Sequence, residues 1–164
     1  MISPNIFICG PSGSGKSTSL ENLDPARTGI LNTEQKALPF RNAAKFKTSV
    51  PVPTYVKFRE YFEYMLKNPD LDVIVIESFT ALTEMIYRDF SKAYDGFDLW
   101  GQYNKEIDWV LNRSKNIPNK IIVFLGIDEF IDDNNSIGGR YVKVQGKQWR
   151  KSVEKEFVVV YPVL

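Results

Sequence analysis

Asn5-Ile6-Phe7-Ile8-Cys9-Gly10-Pro11-Ser12-Gly13-Ser14-Gly15-Lys16-Ser17-Thr18 is an apolar run that opens into a glycine-rich turn. The turn fits G-x-x-x-x-G-K-[ST], the Walker A pattern, with Gly10, Gly15, Lys16 and Ser17 at the fixed positions. Glycines let successive backbone N–H groups converge on one anion, and a helix that follows adds its positive N-terminal end. The pattern therefore predicts a nucleotide-phosphate loop made of Gly10, Pro11, Ser12, Gly13, Ser14, Gly15, Lys16, Ser17 and Thr18. Lys16 would reach the β- and γ-phosphates, and the Ser17 hydroxyl would ligate a Mg²⁺ bridging them. The context agrees: Ile6, Phe7 and Ile8 give a short buried-strand signal, and Lys16 to Leu23 is expected to be helical.

The rest of the chain alternates strand and helix signals. Asp24-Pro25 stops the first helix, and residues 29–33 read as a strand ending at Glu34. Residues 35–45 read as loop, Phe46 to Val50 as a third strand and 51–53 as a Pro-Val-Pro turn. Thr54 then caps a helix with Tyr55, Phe58, Phe62, Met65 and Leu66 on one face. Leu71 to Ser78 is a continuous β-branched run, as in a central parallel strand covered on both sides. Helices are expected from Phe79 to Tyr94 and, after a loop at 96–100, on a face made by Trp100, Tyr103, Ile107, Val110 and Leu111. Lys120 to Gly126 reads as a buried strand. A polar loop (128–139), a strand near Tyr141 to Val144, a short helix near Gln148 to Glu154 and a strand at Phe157 to Tyr161 complete the chain. This order predicts an α/β fold, a three-layer parallel-sheet P-loop NTPase with ligand at the carboxyl ends of the strands.

Bulk properties set limits. With 164 residues the expectation is one domain, 1–164, with a single substantial core. Apolar residues make up 43%, charged residues 25%, and the formal charge is +1, so no global field points to nucleic acid or membrane. Charge is segregated along the chain, however: residues 61–135 hold fourteen acids against seven bases, and residues 136–164 hold six bases against two acids. Cys9 is the only cysteine and histidine is absent, which excludes an internal disulfide and a structural zinc site and leaves Mg²⁺ as the expected metal. Without a leader-like segment or a membrane-length apolar run, the expectation is a soluble cytoplasmic protein.

Two acids stand where strands end. Glu77, followed by Ser78, suits Mg²⁺ binding on a strand expected to lie next to the phosphate-loop strand. Glu34 suits the base or water-orienting group for attack on the γ-phosphate. Lys16, Glu34 and Glu77 are thus the expected catalytic residues, and Ser17 and Glu77 the expected metal ligands.

Taken in order, the phosphate loop, Gly29-Ile30-Leu31-Asn32-Thr33-Glu34, Val73-Ile74-Val75-Ile76-Glu77-Ser78-Phe79-Thr80-Ala81-Leu82 and Lys120-Ile121-Ile122-Val123-Phe124-Leu125-Gly126 resemble the RecA-type ATPase core. The chain looks most like the short phage nucleotide-binding ATPases linked to single-strand annealing and recombination. The resemblance implies that Glu34 matches the catalytic glutamate, and Glu77 and Ser78 the Walker B acid and its following serine. It also implies that 138–146 matches the return of a second DNA-binding loop, with Lys143, Lys147 and Arg150 as cations reaching a neighbouring subunit's site. Three features depart from the pattern. The Walker B acid is glutamate rather than aspartate, no polar γ-phosphate sensor stands in Gly126-Ile127-Asp128-Glu129, and Asp128, Glu129, Asp132 and Asp133 would repel a phosphate backbone.

The function expected from these readings is Mg²⁺-dependent ATP hydrolysis. It would be carried out by a homo-oligomer, of phage descent and located in the host cytoplasm, whose ATP state governs single-stranded DNA or a single-strand-binding protein. Alternatives are a small-molecule kinase or a nucleotide-dependent switch with little turnover. Seven arginines scattered along the chain speak against a kinase lid. Of the aromatic side chains, Trp100, Tyr103, Trp109 and Trp149 could stack bases, although helical spacing assigns the first two to the core, and Phe40 could pack on adenine.

Overall fold

The computed structural model describes residues 4–133 and 136–163, with backbone alone at 133, 136 and 137. Strands β1 (Asn5–Gly10), β2 (Thr28–Asn32), β3 (Thr48–Pro51), β4 (Val73–Glu77), β5 (Ile121–Asp133), β6 (Ser136–Val142) and β7 (Val159–Pro162) form one sheet. Helices α1 (Tyr55–Lys67), α2 (Phe79–Phe90) and α3 (Gly96–Arg113) pack against it. Six strands run parallel in the order β3-β2-β4-β5-β1-β7, and β6 returns antiparallel along the outer half of β5. The architecture is the expected α/β fold, with helices packed against a largely parallel sheet.

The sheet's centre is dry because its strands carry apolar residues on both faces. Ile30, Leu31, Ile74, Val75, Ile76, Ile122, Phe124 and Leu125 are all fully inaccessible to solvent. Under the site, Phe7 of β1, Phe124 of β5, Phe79 at the start of α2 and Phe157 form one aromatic cluster, with Phe7 4.8 Å from Phe157 and Phe79 5.5 Å from Phe124, centroid to centroid. Burying such a ring contributes on the order of 2–3 kcal/mol. The cluster fixes the first turn of α2 against the ends of β1 and β5. In α1 the predicted stripe is the buried face, residue for residue, and Thr54 Oγ1 accepts the Lys57 N–H at 3.3 Å as its N-cap.

Several elements differ from expectation. The segment after the phosphate loop is a 3-10 turn over Thr18–Asn22 rather than a helix from Lys16 to Leu23. Only Leu20 of that turn is buried, so little apolar surface is available to hold a longer helix. Residues 96–100 open α3 instead of forming a loop, because Leu99 supplies a buried anchor one turn before Tyr103. The polar stretch 128–139 extends the sheet as a hairpin, with Asp128 opposite Val142 and Phe130 opposite Arg140. Residues 134 and 135 of that expected loop lie outside the described residues. Near the C-terminus a 3-10 turn at Val153–Glu156 replaces the expected helix, and β7 begins at Val159.

Strand adjacency also needs correcting. β4 does not neighbour β1; β5 lies between them, pairing with β1 through Asn5↔Ile122 to Gly10↔Ile127 and with β4 through Val73↔Ile121 to Glu77↔Leu125. Glu77 therefore approaches the phosphate loop across the end of β5.

Candidate functional site

The carboxyl ends of β1, β2, β4 and β5 surround a cleft of about 640 Å³ lined by Lys16, Ser17, Glu34, Glu77, Ser78 and Lys143, among others. Its floor is the glycine turn after β1. Gly13 and Gly15 have φ of +79° and +91°, which glycine adopts freely. Gly10 is constrained by space, since a Cβ there would lie 2.5 Å from the Val163 carbonyl oxygen. Lys16 folds back over the turn, its ammonium donating to the carbonyl oxygens of Gly10 at 2.9 Å and Pro11 at 2.7 Å. Its positive charge thus already lies inside the loop.

A chain of short polar contacts joins this turn to the two acids. The Ser17 hydroxyl donates to Glu77 Oε1 at 2.9 Å. The next residue, Ser78, donates its hydroxyl to Glu34 Oε1 at 2.9 Å and accepts the Ala81 N–H as the N-cap of α2. The backbone N–H of Thr33 donates to the Glu77 carbonyl at 2.7 Å, and the Thr33 hydroxyl to the Ser78 carbonyl at 2.7 Å. Glu34 is also salt-bridged to Lys36 at 3.4 Å. All the residues expected to be catalytic or metal-binding therefore line one cleft, linked through two serines.

Glu77 sits 8% exposed and buried among apolar strands. Burial pushes its carboxyl up to about 7, with the Glu34 charge adding to the rise and the Ser17 hydroxyl and Lys16 opposing it. Its second oxygen, Oε2, is buried and has no hydrogen-bond partner among the described residues. An unpaired buried carboxylate oxygen is costly. A divalent cation at that oxygen would remove the cost and restore the ionised form. Glu77 and Ser17 are oxygen donors, and Mg²⁺ is usually held by one or two protein oxygens plus phosphates and water, so the donor set fits it. Among the described residues no group of three His, Cys, Asp or Glu side chains stands where it could hold a metal ion.

Sequence reasoning missed Thr33, whose only signal is that it precedes Glu34, and Thr80, Glu84 and Arg88, which bring α2 into the cleft wall. Burial and pairing place the remaining residues singled out above. Phe40 is packed with Leu20, Ile30 and Phe46 in a second core cluster and does not face the cleft. Tyr103 and Trp149 are buried, Trp100 packs on Tyr87 and Tyr103, and Trp109 lies 4.2 Å under the Arg59 guanidinium, so these aromatic residues serve packing. Arg150 is engaged with Glu129 at 3.8 Å, while Lys147 is exposed and outside the cleft.

The sequence matches the family described as AAA domain over residues 3–163. The chain belongs to that family. This AAA-type P-loop ATPase domain also resembles solved structures in fold. Over 83% of its length it superimposes, with TM-score 0.51 and 16% identity, on 47% of a prototypical ATPase from the type III secretion system of pathogenic bacteria. A second match is the RadB recombinase, with TM-score 0.47, 14% identity and 83% of this chain against 67% of that one. The chain thus spans about half the length of the first of these proteins. No curated protein matches its sequence. Among the described residues no helix is long and apolar enough to cross a membrane.

Proposed function

We propose that this chain hydrolyses ATP in a Mg²⁺-dependent reaction at the cleft between the phosphate loop and Glu77. The observation that carries the reading is the link from the loop to the acids: Ser17 bonded to Glu77, Ser78 bonded to Glu34, and Glu77 Oε2 left without a partner. In this mechanism Lys16 leaves the Gly10 and Pro11 carbonyls for the β- and γ-phosphates. Ser17 and Glu77 hold the metal, which when bound would offset the negative charge that repels an incoming nucleophile. Glu34 orients the attacking water by accepting its hydrogen bond, with Ser78 fixing the carboxylate's direction.

The ATP state is proposed to act, in a homo-oligomer of phage descent, on single-stranded DNA or a single-strand-binding protein. Beyond the resemblance in sequence, the β5–β6 hairpin supports this reading. Its acids Asp128 and Glu129 are paired with Arg140 and Arg150, which reduces their repulsion of a phosphate backbone, and Phe130 is 62% exposed where it can stack on a base.

A kinase remains the second reading, because Glu84 and Arg88 of α2 extend the cleft wall past the acids, where an acceptor would sit. The test is phosphate release by wild type and Glu34→Gln, with and without single-stranded DNA and with no added acceptor. Turnover that rises with DNA and vanishes in Glu34→Gln while nucleotide still binds supports the reading. No acceptor-free turnover overturns it in favour of kinase or switch.

A further inference from the structure

We propose that Lys143 contacts the γ-phosphate of the nucleotide bound by its own chain, so that this cleft carries its triphosphate-sensing cation in cis. The inference rests on the nucleotide-binding reading above. Residue 143 is held at the phosphate end of the sheet by its backbone. Ile127 of β5 stands in register with Gly10, the first residue of the phosphate loop, and the Lys143 N–H donates to the Ile127 carbonyl at 2.7 Å. The Lys143 carbonyl accepts from the buried Thr80 hydroxyl at 3.1 Å, and that hydroxyl accepts the Ile127 N–H at 3.1 Å. Two hydrogen bonds to its own backbone, and a third that ties Thr80 to Ile127, thus pin this residue between the end of β5 and the first turn of α2. From there it lines the same cleft as Lys16, Glu34 and Glu77.

Two further observations assign the role. The strand end itself has no polar group to offer: a Cβ at Gly126 would lie 2.6 Å from the Phe7 ring, and Ile127 is apolar. Asp128, one residue on, is tied to Arg140 at 2.8 Å. Lys143, in contrast, makes no hydrogen bond or ion pair through its ammonium among the described residues, although Glu34, Glu77 and Glu84 share the cleft with it. A flexible lysine stem bearing a compact charge can close on a γ-phosphate and be released with it. The arrangement distinguishes a nucleoside triphosphate from a diphosphate.

Lys143→Ala and Lys143→Arg in the full chain test this, with ADP and a non-hydrolysable ATP analogue as probes in Mg²⁺ buffer. For Lys143→Ala the expected result is about a tenfold loss of analogue affinity with ADP affinity unchanged, since one charge-assisted contact is removed. Turnover should fall about 100-fold, with partial return in Lys143→Arg. Mixing Lys143→Ala with excess Lys16→Ala protein should restore nothing. Equal affinities of wild type and Lys143→Ala for the analogue, or equal losses for both probes, would overturn the contact. Recovery of turnover on mixing would overturn its own-chain origin. A wild type that never hydrolyses ATP sinks the ATPase reading alone, because the binding comparison still decides Lys143.

Discussion

The two polar regions of the molecule handle their charges in opposite ways. At the β5–β6 hairpin acids meet cations: Asp128 pairs with Arg140 and Glu129 with Arg150, both arginines about half exposed. Around the phosphate loop the pairing is incomplete. Lys16 is turned onto the loop itself, to the Gly10 and Pro11 carbonyls and the Ser14 hydroxyl, Glu77 Oε2 has no partner among the described residues, and the serines that hold the acids use up one oxygen of each. A folded chain keeps such unspent capacity at a cost of stability, and the cost is recovered only when a ligand supplies the missing partners. Polar residues in the hairpin shape a surface, whereas those in the cleft wait for charge from outside.

That contrast is tested most severely at Lys16. In Lys16→Ala the loop loses the side-chain cation folded over it, so turnover should drop by about 10³-fold or more, while thermal stability stays near wild type. Phosphate release and a melting curve, run on one preparation, check both halves. A large fall in melting temperature would mean that Lys16 serves the fold rather than the site.

Glu77 gives the next largest effect, and in the opposite direction for stability. Its folded-state pKa of about 7 lies above the ordinary 4.5. Below pH 4.5 the group is protonated in both states and costs nothing. As pH rises toward 7 the unfolded chain ionises first, so stability is lost through this window and the full penalty, about 3 kcal/mol, stands above it. In metal-free buffer at pH 8, Glu77→Gln should therefore melt higher than wild type, with the gap closing near pH 4.5, even as it loses turnover. Denaturant melts at the two pH values measure this. An unchanged gap across pH would show that the carboxylate is not destabilised by its site.

The difference between the regions also explains what could be read without a structure. Lys16, Ser17, Glu34 and Glu77 were legible because each stands at a fixed place relative to a strand end, and parallel α/β sheets gather strand ends on one side. The stripe of α1 was legible because burial there follows helical period alone. The order of strands was not, since a run such as Ile121 to Leu125 is equally apolar wherever it is inserted, and only pairing shows that it separates β1 from β4. The hairpin was hidden for a different reason. Asp128, Glu129 and Asp132 have turn-like composition, and their strand conformation depends on cross-strand partners in β6 that no local pattern reveals. Phe40 and Trp149 were misplaced because an aromatic side chain carries no mark of whether it packs inward or binds.

Gly126 links the two regions, being the last buried residue of β5 before the hairpin. Gly126→Ala drives a methyl to 2.6 Å from the Phe7 ring, inside the aromatic cluster that sets the start of α2. Overpacking of this kind should cost about 1–3 kcal/mol. If the cluster positions Ser78 as described, Glu34 loses alignment too, and turnover should fall further than nucleotide affinity. Calorimetric binding beside phosphate release separates the two, and parallel losses would argue that the cluster supports the fold without aiming the acids.

The smallest effect is expected where charges are already paired. Arg140 is half exposed and holds the Asp128 carboxyl below its usual range by a hydrogen bond. A carboxylate so held adds stability at pH values above its ordinary 3.8, and that contribution fades as pH falls through the lowered value. Solvent screens the half-exposed Arg140, so Arg140→Ala should cost little stability at pH 7, less in high salt, and nothing in strong acid. Basal hydrolysis should be unchanged, because the pair lies past the strand end that faces the nucleotide. Should Arg140→Ala instead abolish acceptor-free turnover, the hairpin would belong to the catalytic site, and its charges would be engaged by the nucleotide rather than by each other.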